Sequence, residues 1–253
     1  MKGVILSINP EATVVDLTHE VPPRDIETGA FNLLNCYRNF PEGTIHVAVV
    51  DPGVGSDRRA ILVECAKQYF VGPDNGLLSW ICEREEKWSA VNVTNKKFFR
   101  HPVSNTFHGR DIFAPVAAAL SKGVSPIDFG APISDIVRLE TLEPAQVSEN
   151  TIEGRIIHID RFGNCITNFT PEQLRSCDVS TSFRIVVKER EISSFHSCFA
   201  DAEPNEIFCT MGSAGFVEIC ARNASAAELL RIQRGQKLLL IAATLKEITA
   251  RSA

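Results

Sequence analysis

The stretch IHVAVVDPGVG, residues 45–55, joins an apolar, β-branched run to a turn that contains one proline and two glycines. The run predicts a buried strand, and the turn places Asp51 directly after it. In open α/β sheets, ligands bind beyond the carboxyl ends of the strands. Asp51 is therefore either a ligand-site carboxylate or a residue that caps the turn, and its position alone favours neither. Arg58 and Arg59 follow within reach of a salt bridge to it.

The segments around this stretch alternate between strand-like and helix-like patterns. This alternation predicts an α/β domain with a central sheet flanked by helices over residues 1–143. The predicted strands and helices are 13–17, 26–38, 45–50, a hairpin at 60–71, 77–83 and 111–120.

From residue 151 the pattern changes to short β-branched segments separated by turn residues. These segments predict a mostly antiparallel β domain over 150–253, preceded by a polar linker at 140–150. The predicted strands are 152–159, 165–169, 183–187, 206–210, 216–220 and 237–242.

Composition narrows the class of partner. The chain has 253 residues and a net charge of −5, with acidic and basic residues interleaved. This distribution offers no electrostatic footprint for nucleic acid or an anionic membrane, so a small molecule is the expected ligand. No apolar run approaches the roughly 18 residues of a membrane helix, and no signal-peptide pattern occurs. The sequence therefore predicts a soluble, cytoplasmic protein.

The cysteines are widely spread, without the C-x-x-C pairs or nearby histidines of a zinc site. They predict buried, reduced thiols that pack as small apolar residues, with neither a metal nor a disulfide framework. The eight are Cys36, Cys65, Cys82, Cys165, Cys177, Cys198, Cys209 and Cys220.

Another polar junction, TFHGRD at 106–111, places His108 before a helix-like segment and beside Gly109, which permits close backbone approach. Of the six histidines it is the best placed for chemistry, because His46 and His158 lie inside apolar strands. A lone histidine before a helix is also a common cap or surface residue. Taken alone, His108 remains open to both interpretations.

Three further turns concentrate polar groups. VGPDNGLL at 71–78 predicts a helix cap by Asp74 or Asn75. DRFGN at 160–164 sets hydrogen-bonding groups beside an aromatic ring, as a purine or amino-acid site requires, although an ordinary β-turn has the same composition. GSAGFVE at 212–218 offers backbone amides, a hydroxyl and a carboxylate.

Five motifs in order, VDPGVG, VGPDNGLL, TFHGRDIFAP, IDRFGNCITN and SAGFVEI, cover nearly the whole chain. Together they resemble the S-adenosylmethionine (SAM) hydroxide adenosyltransferases, or SAM hydrolases, relatives of the SAM-dependent fluorinases and chlorinases. The resemblance implies a C-terminal β-barrel-like domain and a homotrimer with active sites between subunits. It also implies hydrolysis of SAM to adenosine and methionine, with SAM as substrate and no cofactor.

The resemblance assigns the reaction to Asp51, Arg58 and His108, which act together on a water molecule, and so favours Arg58 over Arg59. The halogenating relatives carry tyrosine in place of this histidine. Water is therefore the expected nucleophile, and halide-dependent adenosyl transfer is the alternative.

The same matching implies contacts to the substrate from five residues of the second half. Asn164 is expected to hydrogen-bond the adenine, and Phe199 to stack on it. Ser213 and Glu218 are expected at the methionine or nucleoside end, and Asp160 at the methionine amine.

Members of the family usually have a strand with Thr-Asp-Phe-Gly ahead of the position where this sequence begins. Its aspartate is expected to hold the ribose hydroxyls. The resemblance then leaves two expectations for this sequence: a start assigned downstream, or a shortened member that binds SAM or adenosine, or forms a structural trimer, without catalysis.

Overall fold

The computed structural model describes residues 1–85, 87–176 and 183–242. The chain divides into two compact units, Met1–Thr141 and a second that begins at Leu142. The first is an α/β unit and the second a β unit with a nearly closed, barrel-like sheet, which confirms the predicted fold class. Cys177 and residues 243–253 of the predicted second domain lie outside the described residues. Among the described residues, no helix is long and apolar enough to cross a membrane.

The first unit is built on a five-stranded sheet in the order β1-β3-β2-β4-β5. β1 runs parallel to β3 and the other neighbours are antiparallel. The strands are β1 (Ile45–Val47), β2 (Ala60–Cys65), β3 (Gln68–Pro73), β4 (Trp88–Val93) and β5 (Gly130–Ile133); the helices are α1 (Lys2–Ile8), α2 (Ile26–Cys36), α3 (Ser79–Arg84) and α4 (Ala114–Ser121).

Helices cover this sheet because its central strand is apolar on both faces. The first four residues of β2 are all buried, which a strand exposed to water on one face would not show. Leu62 packs with Phe113 and Val116 in the cluster under α4. Helix α2 begins after Asp25, whose side chain accepts a hydrogen bond from the backbone nitrogen of Thr28 at 3.1 Å.

The predicted strand at 13–17 is wrong. These residues form no ladder with another strand, and Val15 is 62% exposed. A cavity of about 400 Å³ is lined by Leu17 on one side and by residues 46–52 of the edge strand and its turn on the other. Consecutive β-branched residues, such as those at 13–15, favour extended backbone, but a strand also needs a neighbour within hydrogen-bonding distance. Helix α1 was not predicted from the sequence.

The second unit is an eight-stranded sheet in the order β10-β9-β13-β7-β8-β12-β11, with β6 paired to β7. Its terminal strands β10 and β11 approach each other, which nearly closes the sheet around one apolar core. The strands are β6 (Ala145–Ser148), β7 (Thr151–Ile159), β8 (Cys165–Thr167), β9 (Phe183–Val187), β10 (Arg190–Ile192), β11 (Ile207–Met211), β12 (Val217–Ala221) and β13 (Lys237–Ala242); the helices are α5 (Pro171–Ser176) and α6 (Ala226–Leu230).

The predicted linker at 140–150 is partly wrong, because β6 lies within it and pairs with β7. Its residues are all exposed, so the segment carries no burial pattern from which a strand could be predicted. Burial is confirmed for five of the predicted apolar thiols, whereas Cys198 is exposed.

His46 gives the first unit a pH-dependent stability. It is 4% exposed, stacks on Phe70 at 4.8 Å and contacts the Gln68 Oε1 atom through Nε2 at 2.8 Å. Burial lowers its pKa from the ordinary value of 6.5. The unfolded chain therefore binds a proton below about pH 6.5 that the folded chain binds less readily, and stability falls as the pH falls.

We expect the free energy of unfolding to decrease below pH 6.5 with a contribution from His46 of up to about 1.4 kcal/mol per pH unit. Urea unfolding of the parent and of His46→Gln between pH 5 and 8 measures it. The slope should become shallower in His46→Gln than in the parent. Equal slopes in the two proteins would contradict the assignment.

Candidate active site

Three side chains predicted to act together meet at loop ends of the first unit. Asp51 lies in the turn after β1, and Arg58 lies just before β2. His108 directly precedes Gly109–Phe113, a π-helical turn that runs into α4. Wide helical turns of this kind occur frequently at functional sites. Two segments, one that contains Asp51 and Arg58 and one that ends at His108, therefore supply the three residues.

The guanidinium of Arg58 connects the other two groups. Its Nε donates to Asp51 Oδ1 at 2.9 Å and its Nη2 to Asp51 Oδ2 at 2.5 Å. The same Nη2 lies 2.7 Å from His108 Nδ1. The side chains of Arg58 and Asp51 are 10% and 5% exposed, and the guanidinium also lies 5.3 Å from the Phe113 ring centroid. Bidentate geometry and low exposure make this a stronger pair than a surface ion pair.

These contacts fix the protonation of His108. Burial, and next the positive charge of Arg58, lower the pKa of His108 from 6.5, so the ring is neutral at pH 7. Arginine keeps its protons and can only donate. Since Arg58 faces Nδ1, that nitrogen must accept, and the single ring proton lies on Nε2. His108 can therefore donate a hydrogen bond from Nε2 to a neighbouring molecule.

Gly55 lets the two loops approach closely. It has a φ of +81°, and a Cβ added there would lie 2.5 Å from the backbone oxygen of Asn105, in the loop that carries His108. A side chain at this position would strain the backbone and also push the Asn105 loop away.

We therefore expect Gly55→Ala to lower the turnover rate of the reaction at this site by about 10²-fold, because a shift of about 1 Å in a catalytic group has that effect. Gly43→Ala is the matched control, since Gly43 has a φ of +80° and no atom within 4 Å of an added Cβ. Both variants are expected to lose stability, measured by thermal unfolding, but only Gly55→Ala should lose turnover. An equal effect of the two on turnover would contradict the role of the close approach.

The second unit contains a cavity of about 800 Å³ at one end of β11 and β12. All five residues predicted to contact a ligand line it: Asp160, Asn164, Phe199, Ser213 and Glu218. The predicted site residues thus form two groups, three on the first unit and five on the second.

The two acidic side chains that line this cavity, Asp160 and Glu218, have different surroundings. Asp160 Oδ1 accepts from the backbone nitrogens of Phe162 and Asn164, and its Oδ2 accepts from the Asn164 amide at 2.8 Å. Burial, and then the charge of Asp160, raise the pKa of Glu218. Glu218 packs directly over Gly212, where an added Cβ would lie 1.9 Å from Glu218 Oε1. The cavity therefore presents two neighbouring carboxyl groups.

Models of one protein family match both halves of the chain: the SAM hydroxide adenosyltransferase N-terminal domain matches residues 1–130, and the C-terminal domain matches residues 154–239. The chain belongs to this family. It is 36% identical to the (R)-S-adenosyl-L-methionine hydrolase of Salinispora arenicola, over 95% of this chain and 90% of that protein. It is 33% identical to the hydrolase of the same name from Methanocaldococcus jannaschii, over 92% and 86%.

The chain is also similar to a fluorinase, at lower identity, and to a solved structure. The fluorinase of Nocardia brasiliensis is 26% identical over 92% of this chain and 88% of that protein. The crystal structure of an uncharacterized conserved protein from Thermotoga maritima superposes with a TM-score of 0.87 at 33% identity, covering 95% of this chain and 93% of that one. The likeness to this solved structure thus covers residues of both units.

The structure of this SAM hydroxide adenosyltransferase family member separates the two neighbouring arginines. Arg59 does not contact Asp51. Its Nε donates to Asp74 Oδ2 at 2.8 Å and its Nη1 to Asp135 Oδ1 at 3.0 Å. Asp74 therefore pairs with Arg59, and Asn75 Oδ1 accepts from the backbone nitrogen of Leu77 within the turn. The predicted helix cap by Asp74 or Asn75 is wrong, because helix α3 begins after Leu78 and no side chain caps it.

Sequence reasoning missed other residues that line the same cavity. Phe162 is 72% exposed and lies at the tip of the turn between Asp160 and Asn164. The sequence marks it as the aromatic residue of the DRFGN motif, although no contact was assigned to it. Thr210 and Met211 of β11 also line the cavity, but nothing in the sequence around them distinguishes them from residues with no ligand contact.

Proposed function

We propose that this chain hydrolyses (R)-S-adenosyl-L-methionine to adenosine and L-methionine. A water oxygen forms a bond to the ribose C5′, the bond from C5′ to sulfur breaks with its electron pair going to sulfur, and one proton is released. The sulfonium leaves as neutral methionine, so no acid is required to protonate the leaving group. The observation that carries the proposal is the contact of one guanidinium with both Asp51 and His108.

In this mechanism Asp51 is the proton acceptor. An ionised carboxylate has about four lone-pair sites. Arg58 occupies the sites that face it, through Nε and Nη2, and the remaining ones are available to a water hydrogen. Arg58 holds the carboxylate at a fixed angle, and the proton passes to Asp51 as the bond to C5′ forms.

His108 orients the water by donating from Nε2 to its oxygen. One lone pair of the water is then held and the other can face C5′. Free water has a pKa of about 15.7, and general-base assistance typically contributes about 10²- to 10⁴-fold. Alignment of reacting groups can contribute about 7–11 kcal/mol. Holding the water in line is therefore worth more than its deprotonation, and His108 serves alignment.

The cavity of the second unit is proposed to bind the substrate. Asn164 hydrogen-bonds the adenine, and Phe199, 44% exposed at the cavity wall, stacks on it. Ser213 and Glu218 face the methionine or nucleoside end, and Asp160 meets the methionine amine. A volume of about 800 Å³ is within the usual range for a pocket that holds a molecule of this size.

Charge gives this cavity a preference between substrate and products. SAM carries a sulfonium and an ammonium against one carboxylate, whereas methionine and adenosine are each neutral overall. Two neighbouring carboxyl groups, Asp160 and Glu218, therefore attract the substrate more strongly than either product. The reaction itself removes the charge that the cavity recognises, which favours product release.

We also propose, from the family resemblance, that the chain works in the cytoplasm as a homotrimer with active sites between subunits and without a cofactor. Analytical ultracentrifugation tests the assembly. A sedimenting species of three chains is expected.

The reaction is tested by incubating the purified protein with each SAM epimer in water enriched in ¹⁸O and separating the products by chromatography. We expect adenosine and methionine in equal amounts from the (R) epimer, with the label in the adenosine 5′-hydroxyl. Label elsewhere would contradict attack at C5′.

The same experiment with added chloride or fluoride distinguishes the alternatives. A 5′-halo-5′-deoxyadenosine would identify the chain as a halogenase, a reaction related to that of the fluorinase relatives. A tight SAM complex without any product would identify a non-catalytic binding protein.

A further inference from the structure

Asp111 is a fully buried carboxylate in the first unit, next to the triad in sequence but outside it. Arg110 donates to it through Nε at 2.7 Å and through Nη2 at 2.8 Å. Arg100 Nη1 adds a hydrogen bond at 3.2 Å, and the backbone nitrogen of Ser104 adds one at 3.0 Å. A buried carboxylate with this many donors is satisfied in its ionised form, and its pKa is held well below the usual range, first by Arg110.

The donors to Asp111 all belong to one segment, residues 100–110, which runs into the π-helical turn. The backbone nitrogen of Arg100 also donates to the Asp111 carbonyl at 2.9 Å, so the loop is closed by the main chain and by the side chain of the same residue. His108 lies inside this closed loop, three residues before Asp111. The carbonyl of Phe107, beside His108, accepts from the backbone nitrogens of Arg110 and Asp111 at 3.0 Å each.

The neighbours of Asp111 in this loop are much more exposed than Asp111 itself. Arg100 and Arg110 have side chains that are 52% and 40% exposed, and Phe107 is 59% exposed. Asp111 is therefore the buried residue of this cluster, and the partly exposed side chains of Arg100 and Arg110 bind it from the solvent side. Replacing the carboxylate by an amide would leave one acceptor oxygen for these donors and set an NH2 group against the others, which would free the loop to move relative to Arg58.

We propose that Asp111 is a positioning residue, which holds the 100–111 loop so that His108 Nδ1 meets Arg58. The proposal rests on the proposed hydrolysis for its kinetic consequence, although the placement of His108 is measurable without it. Asp111 acts through the loop and does not touch the substrate or the reacting water.

Asp111→Asn tests the anchor, because the amide has nearly the same shape and lacks the charge. We expect kcat for SAM hydrolysis to fall by about 10²-fold, with KM changed by less than twofold, since misplacement of a catalytic group by about 1 Å has an effect of this size. Arg110→Gln, on a side chain that is 40% exposed, should lower kcat by a smaller factor, and Arg110→Lys should recover part of it.

The matched controls are Glu85→Gln and Arg38→Gln. Glu85 is a carboxylate with a side chain 22% exposed, which accepts from Arg38 and from the Tyr37 hydroxyl. These variants remove an equivalent pair from the same unit and should change stability without changing kcat. Equal losses of kcat in the two pairs, or unchanged kcat in both Asp111→Asn and Arg110→Gln, would overturn the proposal.

A readout independent of turnover keeps this proposal separate from the proposed function. In the parent, ¹⁵N NMR of the histidine rings should show His108 neutral with the proton on Nε2. Arg110→Gln should shift these His108 signals, whereas Arg38→Gln should leave them in place. Unshifted signals would overturn the positioning role even in a protein that hydrolyses SAM, and shifted signals would support it even in one that does not.

Discussion

Arg58→Lys is expected to lower kcat by about 10²- to 10⁴-fold, the range associated with loss of general-base assistance. Lysine retains the positive charge but is a point charge without the planar fork. It cannot donate in parallel to both oxygens of Asp51 and also reach His108 Nδ1, as Arg58 does through Nε and Nη2. Steady-state kinetics with SAM, together with thermal unfolding, measures the change.

Arg59→Lys is the matched control, because it changes the adjacent residue by the same substitution. Arg59 holds Asp74 and Asp135 and makes no contact with the triad through its side chain. Stability is expected to decrease, whereas kcat should remain within about threefold of the parent. If Arg59→Lys lowered kcat as much as Arg58→Lys, the distinction between the two arginines would be wrong.

That distinction illustrates why the site could be predicted only in part from the sequence. Both Arg58 and Arg59 are close enough to Asp51 in sequence to form a salt bridge with it. In extended backbone, successive side chains point to opposite sides, so only one of the two can face Asp51. Which one does so depends on the register of β2 with its neighbours, and register is a property of the folded sheet.

His108 illustrates a different limit. Its neighbours in sequence predict a loop before a helix, which the structure contains, yet its partner Arg58 lies fifty residues away. The approach depends on Gly55, where the backbone oxygen of Asn105 occupies the space that any other residue would need. The sequence displays the glycine, but nothing in the VDPGVG turn indicates which loop packs against it.

Strands of the second unit were predictable because each carries a local signal. The β-branched residues at 152–159 and 183–187 match β7 and β9. Burial alternates along β9, whereas residues 154–157 of β7 are all buried. The segment at 13–17 carries a similar signal without becoming a strand. Local pattern thus predicts extended backbone, whereas hydrogen-bonded pairing depends on a neighbour that the pattern does not describe.

His108→Ala is expected to lower kcat by about 10²-fold or more and to change KM little, because the histidine serves alignment of the water and not binding of SAM. Alanine removes both the Nδ1 acceptor for Arg58 and the Nε2 donor to the water. Steady-state kinetics of the parent and the variant measures the effect.

Two further substitutions separate the two ring nitrogens. In His108→Asn the amide oxygen can accept from Arg58 in the place of Nδ1, but nothing replaces the Nε2 donor. In His108→Gln the longer amide can donate where Nε2 did. If donation to the water is the role of His108, kcat should recover partly in His108→Gln and not in His108→Asn, since only the former restores the donor. Recovery in His108→Asn alone would mean that the histidine serves to hold Arg58, and turnover equal to the parent in His108→Ala would exclude it from the reaction.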